Sequence, residues 1–141
     1  MPAIPSLEIT IGTGDDDLRD DSSATAYVLV QMGDDLKEFS TILKNETDPG
    51  WGNDTTHGPM IWNLPPGITD QNLERFGIRL QSHDSVSVIP PKAETDDNWN
   101  INTVLVTYPD GAGGQAELIN MAGVPLFRLT GDQPEWATSL T

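Results

Sequence analysis

The sequence predicts an all-β fold, an antiparallel β-sandwich of about eight strands. Apolar residues recur at every second position in short runs, which is typical of strands with one buried face. Thirteen glycines and eleven prolines among 141 residues supply frequent turns. They also oppose long helices, because each glycine in a helix interior costs about 1 kcal/mol and each proline about 3 kcal/mol. Runs of this kind separated by turn residues favour a sandwich over a bundle.

Five of the predicted strands precede residue 82. They are residues 6–11, 24–32, 37–43, 59–64 and 75–81. The second run is apolar on both faces, as in a central strand, and the turn at Gly33 predicts that it forms a hairpin with the third. Between the fourth and fifth runs, Thr69 to Leu73 is predicted to form one helical turn, with Thr69 or Asp70 as its cap.

The second half contains a strong strand and a predicted final hairpin. Along 99–108, alternation places Thr103 and Leu105 on the same face as Trp99, opposite Val104 and Val106. The last hairpin is predicted from 117–121 and 124–129 around a glycine turn, and 86–89 extends the strand pattern after a bend.

Length and pattern indicate one domain spanning residues 1–141. The core is expected at about 6–130, with a loosely attached tail at 131–141 that Trp136 pins down. One hydrophobic core is normal for a chain of this size.

The charge restricts the possible partners. Seven Lys and Arg stand against 22 Asp and Glu, a net charge of −15. This field repels phosphate backbones and anionic headgroups, so nucleic acid is excluded as a partner. No apolar run reaches the roughly 20 residues that span a bilayer, so membrane insertion is excluded too. The absence of cysteine removes disulfides and thiolate metal sites. Cations, basic proteins and neutral ligands such as sugars remain.

The first residues do not resemble a secretory signal, because Met1 to Pro5 has neither a basic nor a long apolar segment. The expectation is a protein that stays where it is made, travels by another route or inside a particle, or has lost a leader. An extracellular or particle-associated location is favoured.

Two acidic segments form the candidate metal site. The first runs from Asp15 to Asp21 and has five aspartates in seven residues, and the second is Glu94-Thr95-Asp96-Asp97-Asn98, with Asn100 just beyond. Crowded carboxylates need screening, and Ca²⁺ accepts six to eight oxygens in flexible geometry. In an antiparallel sandwich, a loop after the first strand and a loop before a late strand can share an end, and the metal site depends on whether these two loops meet. The alternative is that both are solvated turns, where Asp and Asn are common.

Short motifs within these segments resemble a known family. Thr13-Gly14-Asp15-Asp16-Asp17-Leu18-Arg19, Asp97-Asn98-Trp99-Asn100 and the segment from Pro125 to Asp132 resemble PLAT (lipoxygenase-homology) β-sandwich domains. The resemblance is closest to a PLAT-like module attached to secreted bacterial proteins. It implies a β-sandwich with a binding role, in which the two loops lie together and can hold calcium. By this resemblance the candidate calcium ligands are Asp15, Asp16, Asp17, Asp96, Asp97 and Asn98.

A second candidate site lies in the loop around Trp51. Trp51, Asn53 and Asp54 stand in a polar, glycine-rich stretch, a setting in which an exposed ring stacks on a sugar while neighbouring groups bind hydroxyls. The alternative is that Trp51 folds back and plugs the end of the sandwich.

No enzyme motif accompanies these residues. His57 and His83 stand alone, and no Gly-x-Ser-x-Gly elbow occurs. We therefore expect a non-catalytic binding module that recognises carbohydrate or a surface component, with calcium as its cofactor. The competing hypothesis is a structural subunit, a decoration protein of a larger particle. Assembly predicts a homo-oligomer and an ordered tail; a binding module predicts a monomer with a ligand-sensitive loop end.

Overall fold

The computed structural model describes residues 3–18, 22–45, 47–82, 98–130 and 133–140 and is all-β. Its strands are β1 (Ser6–Thr13), β2 (Ser22–Met32), β3 (Asp35–Lys44), β4 (Thr56–Asn63), β5 (Leu73–Ser82), β6 (Trp99–Pro109), β7 (Gln115–Leu129) and β8 (Glu135–Ser139). All pairings are antiparallel. The first sheet has the order β4-β1-β6-β7 and the second β3-β2-β5-β8. The predicted β-sandwich is confirmed. The described ranges contain no helix that could cross a membrane.

The core lies between the two sheets and follows the alternation of the central strands. On β1, Leu7, Ile9 and Ile11 are fully buried while the residues between them are only partly covered. Across the core, Phe76 and Ile78 of β5 are equally buried. Each such side chain contributes about 1.5–3 kcal/mol when it leaves water. The alternating pattern in the sequence therefore identifies the strand faces that hold the sandwich together.

One strand does not keep the predicted alternation. The pairing of β6 with β7 shifts register between Ile101 and Thr103. Trp99 and Ile101 face the core before the shift, and Val104 and Val106 face it afterwards, whereas Thr103 is exposed. The prediction that Thr103 and Leu105 share a face with Trp99 is therefore wrong. A bulge adds a residue and reverses the side-chain alternation beyond it.

The predicted final hairpin is also wrong. Residues on both sides of Gly123 belong to one strand, β7, which runs along the whole of β6. The chain leaves the ladder between Ala122 and Phe127 and then rejoins it, so the glycine lies in a bulge and not in a reversal. The turn that joins β6 to β7 lies at Asp110–Gly114, where Asp110 Oδ1 accepts hydrogen bonds from two backbone N–H groups.

The expected loose tail is a strand. β8 pairs with β5 from Arg79↔Glu135 to Arg75↔Ser139, and Trp136 is 8% exposed within the core. The prediction that Trp136 anchors this segment is correct, but the segment is an integral part of the second sheet. This ordered tail is explained by pairing within the chain, so it does not itself favour particle assembly.

Thr69 caps a turn, as predicted. Its hydroxyl accepts hydrogen bonds from the N–H groups of Gln71 and Asn72. The turn does not become a helix because Leu73 opens β5. The strand segment predicted at 86–89 lies outside the described residues.

Candidate functional site

The loop after β1 packs against the start of β6 through backbone hydrogen bonds. Gly14 N–H donates to the carbonyl of Asn100 at 2.8 Å, and Asn100 N–H donates to the carbonyl of Asp16 at 3.1 Å. Gly14 has no space for a side chain, since a Cβ there would clash with Asn102. The first acidic segment is therefore held against the start of β6, where the PLAT resemblance implies that the two acidic loops lie together.

Two of the candidate carboxylates are bound to side-chain donors. Asn100 Nδ2 donates to Asp15 Oδ1 at 2.6 Å, and Arg128 Nη2 forms an ion pair with Asp16 Oδ2 at 2.8 Å. Arg128 Nη1 also donates to Asn100 Oδ1 at 2.8 Å, which closes the chain of contacts. The guanidinium thus supplies the screening that adjacent carboxylates require. This role of Arg128 is not evident from the sequence, because Arg128 comes close only where β7 returns beside β6.

For the other candidate metal ligands the structure gives less information. Asp17 is half-buried and Asn98 is exposed, and Asn98 has an interaction partner of its own. Asp96 and Asp97 lie outside the described residues. Across the ranges from 3 to 140 that the structure describes, no three His, Cys, Asp or Glu side chains form a group able to hold a metal ion. The calcium hypothesis stays a prediction.

Trp51 is not an exposed stacking platform. Its side chain is 7% exposed and belongs to the core. Its backbone forms a two-way bridge with Leu18, with N···O distances of 2.8 and 3.0 Å, and its ring lies edge-on to Trp99 at 5.7 Å. The assignment of Trp51 to a ligand-binding surface is corrected: the ring plugs the end of the sandwich, because an indole gains more from the apolar core than from water.

The rest of the Trp51 loop is exposed. Asn53 and Asp54 are in a turn, and Asp54 adopts φ of 57°, which aspartate tolerates better than most residues. Asp54 N–H donates to the carbonyl of Gly14 at 2.9 Å. His57 stacks on the buried Trp51 ring at 4.4 Å, and its burial lowers the pKa of the imidazole below 6.5. These contacts fasten the loop to the acidic segment.

A second group of polar residues lies on the outer face of the second sheet. Arg79 donates to both carboxylate oxygens of Glu38 at 2.7 and 2.9 Å and to Glu135 at 2.9 Å. Tyr27 donates its hydroxyl proton to Glu135, and its ring covers Gly77, where a Cβ would clash. This network connects β3, β2, β5 and β8. Each member has its hydrogen-bond partners within the network, as is typical of a network with a structural role.

A shallow cavity of about 310 Å³ lies beside this network. Its lining combines apolar, neutral polar and charged side chains: Leu29, Gln31, Leu36, Glu74, Arg75 and Ser139. Pairing of β2 with β5 shifts register between Leu29 and Val30, and such a bulge redirects the side chains beside it.

Arg75 is a cation in the lining of this cavity. It is exposed and makes no ion pair with any residue that the structure describes, whereas Arg79 and Arg128 are both paired. A guanidinium presents several N–H donors in a fixed plane. In a chain with a net charge of −15, an unpaired guanidinium beside a cavity is a group available to a ligand.

Sequence analysis did not identify the cavity. Its lining comes from β2, β3, β5 and β8, and no pattern within any one strand indicates which residues meet. The adjacent Glu74 and Arg75 at the start of a strand were the only available signal.

Comparison with known proteins adds no further constraint: no family model, curated protein or solved structure matches this chain.

Proposed function

We propose that this domain is a non-catalytic binding module that recognises a carbohydrate, or a surface component of similar polarity, at the cavity on the outer face of the second sheet. The observation that carries the proposal is the guanidinium of Arg75, which makes no ion pair with any described residue and lies beside two apolar side chains in that cavity. The volume, about 310 Å³, is at the lower end of the range of about 300–1,000 Å³ for small-molecule sites.

The lining suits a sugar ring. Leu29 and Leu36 offer apolar contact for the C–H face of a pyranose, while Arg75 donates to hydroxyl oxygens. Gln31 both donates and accepts, and Glu74 accepts from hydroxyl protons. The overall negative charge disfavours phosphorylated ligands. A neutral carbohydrate therefore matches this lining better than a nucleotide or an anionic lipid.

The test is a glycan screen followed by chemical-shift mapping on the ¹⁵N-labelled protein. We expect a binding sugar to shift the amide signals of Gln31 and Arg75, and Arg75→Met to weaken binding at least tenfold. Arg128→Met is the matched control, since it removes an arginine from the other sheet and should leave binding unchanged. Shifts confined to Asn53 and Asp54 would instead place recognition at the loop end and overturn the assignment of this cavity.

A structural subunit is the second candidate, and one observation favours it. The exposed large apolar side chains of the described residues all lie on strands at sheet edges: Leu36, Ile42, Ile61, Met121 and Val124. Apolar edge residues are available for contacts between chains. Light scattering separates the hypotheses, because open-ended assembly grows with concentration whereas a binding module remains a small, closed species.

A further inference from the structure

The edges of the two sheets differ in their ability to accept another strand. The edge strands are β3, β4, β7 and β8. Pro59 lies in β4 and Pro125 in β7, and proline has no N–H to donate to a ladder. β8 has only five residues, and short edge strands are a common protection against pairing. These three edges therefore carry features that oppose strand addition.

β3 carries none of these features. It is ten residues long, contains no proline, and pairs with β2 without a register shift from Asp35 to Ile42. No strand of the described chain pairs with its outer side. Its charges are two acidic residues and two lysines, so its formal charge is zero. In a protein of net charge −15, this is an edge where two copies approach with little repulsion.

The sequence of β3 is self-complementary about Phe39. Leu36 and Ile42, each three positions from Phe39, are 56% and 58% exposed and lie on the outer face of the sheet. In an antiparallel pair of β3 strands with a two-fold axis at Phe39, Leu36 of one copy faces the partner's Ile42. The two-fold axis repeats this contact between Ile42 of the first copy and the partner's Leu36. Lys37 then faces the partner's Thr41, and Glu38 faces the partner's Ser40, so no like charges are opposed.

We propose that two copies of this chain pair through β3 in this register and form one continuous eight-stranded sheet. An isologous pair of this kind is closed and does not propagate into a filament. Pairing covers the apolar side chains that β3 exposes and satisfies the backbone groups along its outer side.

The pairing also affects the cavity. Leu36 forms the β3 side of its lining, and the residue placed next to Leu36 is the partner's Ile42. The partner thus extends the apolar wall of a site that a single copy leaves open. The pairing itself does not require that the cavity bind a sugar, so the dimer and the proposed function fail or stand separately.

The first experiment measures mass by sedimentation velocity over a wide concentration range. We expect a monomer–dimer equilibrium in the wild type and a monomer for Ile42→Lys. Ile61→Lys is the matched control, because Ile61 is also an exposed isoleucine, 68% exposed, on an edge of the other sheet; it should dimerise like the wild type. Circular dichroism and urea unfolding of each variant establish that the monomer remains folded.

The second experiment tests the register. The chain has no cysteine, so Leu36→Cys and Ile42→Cys can be prepared separately and mixed under mild oxidation. Facing residues in an antiparallel pair have Cα atoms about 4.5–5.5 Å apart, within disulfide range. We expect a cross-linked species mainly in the mixture and little in either protein alone. A monomer at every concentration, a dimer that survives Ile42→Lys, or cross-linking of Leu36→Cys to itself would overturn the proposal.

Discussion

The guanidinium of Arg79 lies over the ring of Tyr27, with its central carbon 4.0 Å from the ring centroid. Beneath the ring is Gly77, whose missing side chain makes room for it. The three residues form a stack on the outer face of the second sheet, so the aromatic ring is 2% exposed although it lies outside the core. Two salt bridges and a cation–π contact thus depend on one arginine.

Replacement of Arg79 should lower the free energy of unfolding at neutral pH. It should also make that free energy fall less when the pH is lowered. The hydrogen bonds from Arg79 lower the pKa of Glu38 below 4.5; burial would raise the pKa of Glu135, but hydrogen bonds from Tyr27 and Arg79 lower it. Both carboxylates therefore stabilise the fold fully above about pH 4.5 and lose this contribution as the pH falls further. Because the ion pairs are exposed to solvent, Arg79→Met should cost only about 1 kcal/mol at neutral pH.

Urea unfolding in neutral and acidic buffer measures both effects. Arg75→Met is the control, since it removes an exposed arginine of the same strand that makes no ion pair with described residues. It should retain the pH dependence of the wild type. An unchanged acid response in Arg79→Met would show that the network does not couple folding to these carboxylates.

Tyr27 predicts a loss of stability in alkali. Burial and the hydrogen bond to Glu135 raise the pKa of Tyr27 from 10.0 to about 12. The folded state therefore favours the neutral phenol, and this contribution is full below pH 10 and lost as the pH rises to about 12. Tyr27→Phe should cost about 1 kcal/mol at neutral pH and abolish the late step in an absorbance titration of phenolate. Tyr108→Phe, which removes the other tyrosine, should preserve that step; a late step that persists in Tyr27→Phe contradicts the assignment.

Calcium should compete with Arg128 for Asp16. A cation at the first acidic segment needs the carboxylate oxygen that Arg128 now holds at 2.8 Å. We expect Arg128→Met to lower stability by less than about 1 kcal/mol in EDTA and to gain more from calcium than the wild type gains. Thermal unfolding in EDTA, calcium and magnesium measures this, since a ligand at 100 times its Kd adds about 2.7 kcal/mol. If calcium moves the midpoint of neither protein, the metal site is rejected.

Trp136 should be essential for the second sheet. It is 8% exposed within the core although it lies on a five-residue edge strand. Trp136→Ala should cost about 3 kcal/mol, since it leaves a cavity beside β5. Val124→Ala is the control, because Val124 is 94% exposed and such surface changes stay within about 0.5 kcal/mol. Equal urea midpoints for the two variants would show that β8 is only loosely attached.

The fold could be predicted where the signal is local. The alternation of Leu7, Ile9 and Ile11 identifies a half-buried strand because every second side chain meets the core. The errors came from pairing between strands. The bulge near Thr103 and the departure of Gly123 from the ladder depend on how β6 fits β7, and neither strand alone contains that information.

The candidate sites, like the fold, could be predicted from the sequence only in part. The sequence alone allowed Asp15 to lie beside the start of β6 but did not require it, and in the structure Asn100 provides the contact. The partner of Asp16 was not expected, because Arg128 is far along the chain. The cavity near Arg75 depends on the alignment of four strands, so it could not be inferred before the sheet order was known.

The sheet order also has a consequence for how the chain reaches its native state. β1 is central in the first sheet, yet both its neighbours follow much later, so Ile9 must find Val106 across most of the sequence. Contacts between such distant positions require costly loop closure, and domains dominated by them fold in about milliseconds to seconds. We expect the β2–β3 hairpin, whose strands are adjacent in the sequence, to form before the sandwich closes, with its apolar inner face open to other unfolded chains. Refolding should therefore be most efficient at low protein concentration, where closure within one molecule outpaces encounters between molecules.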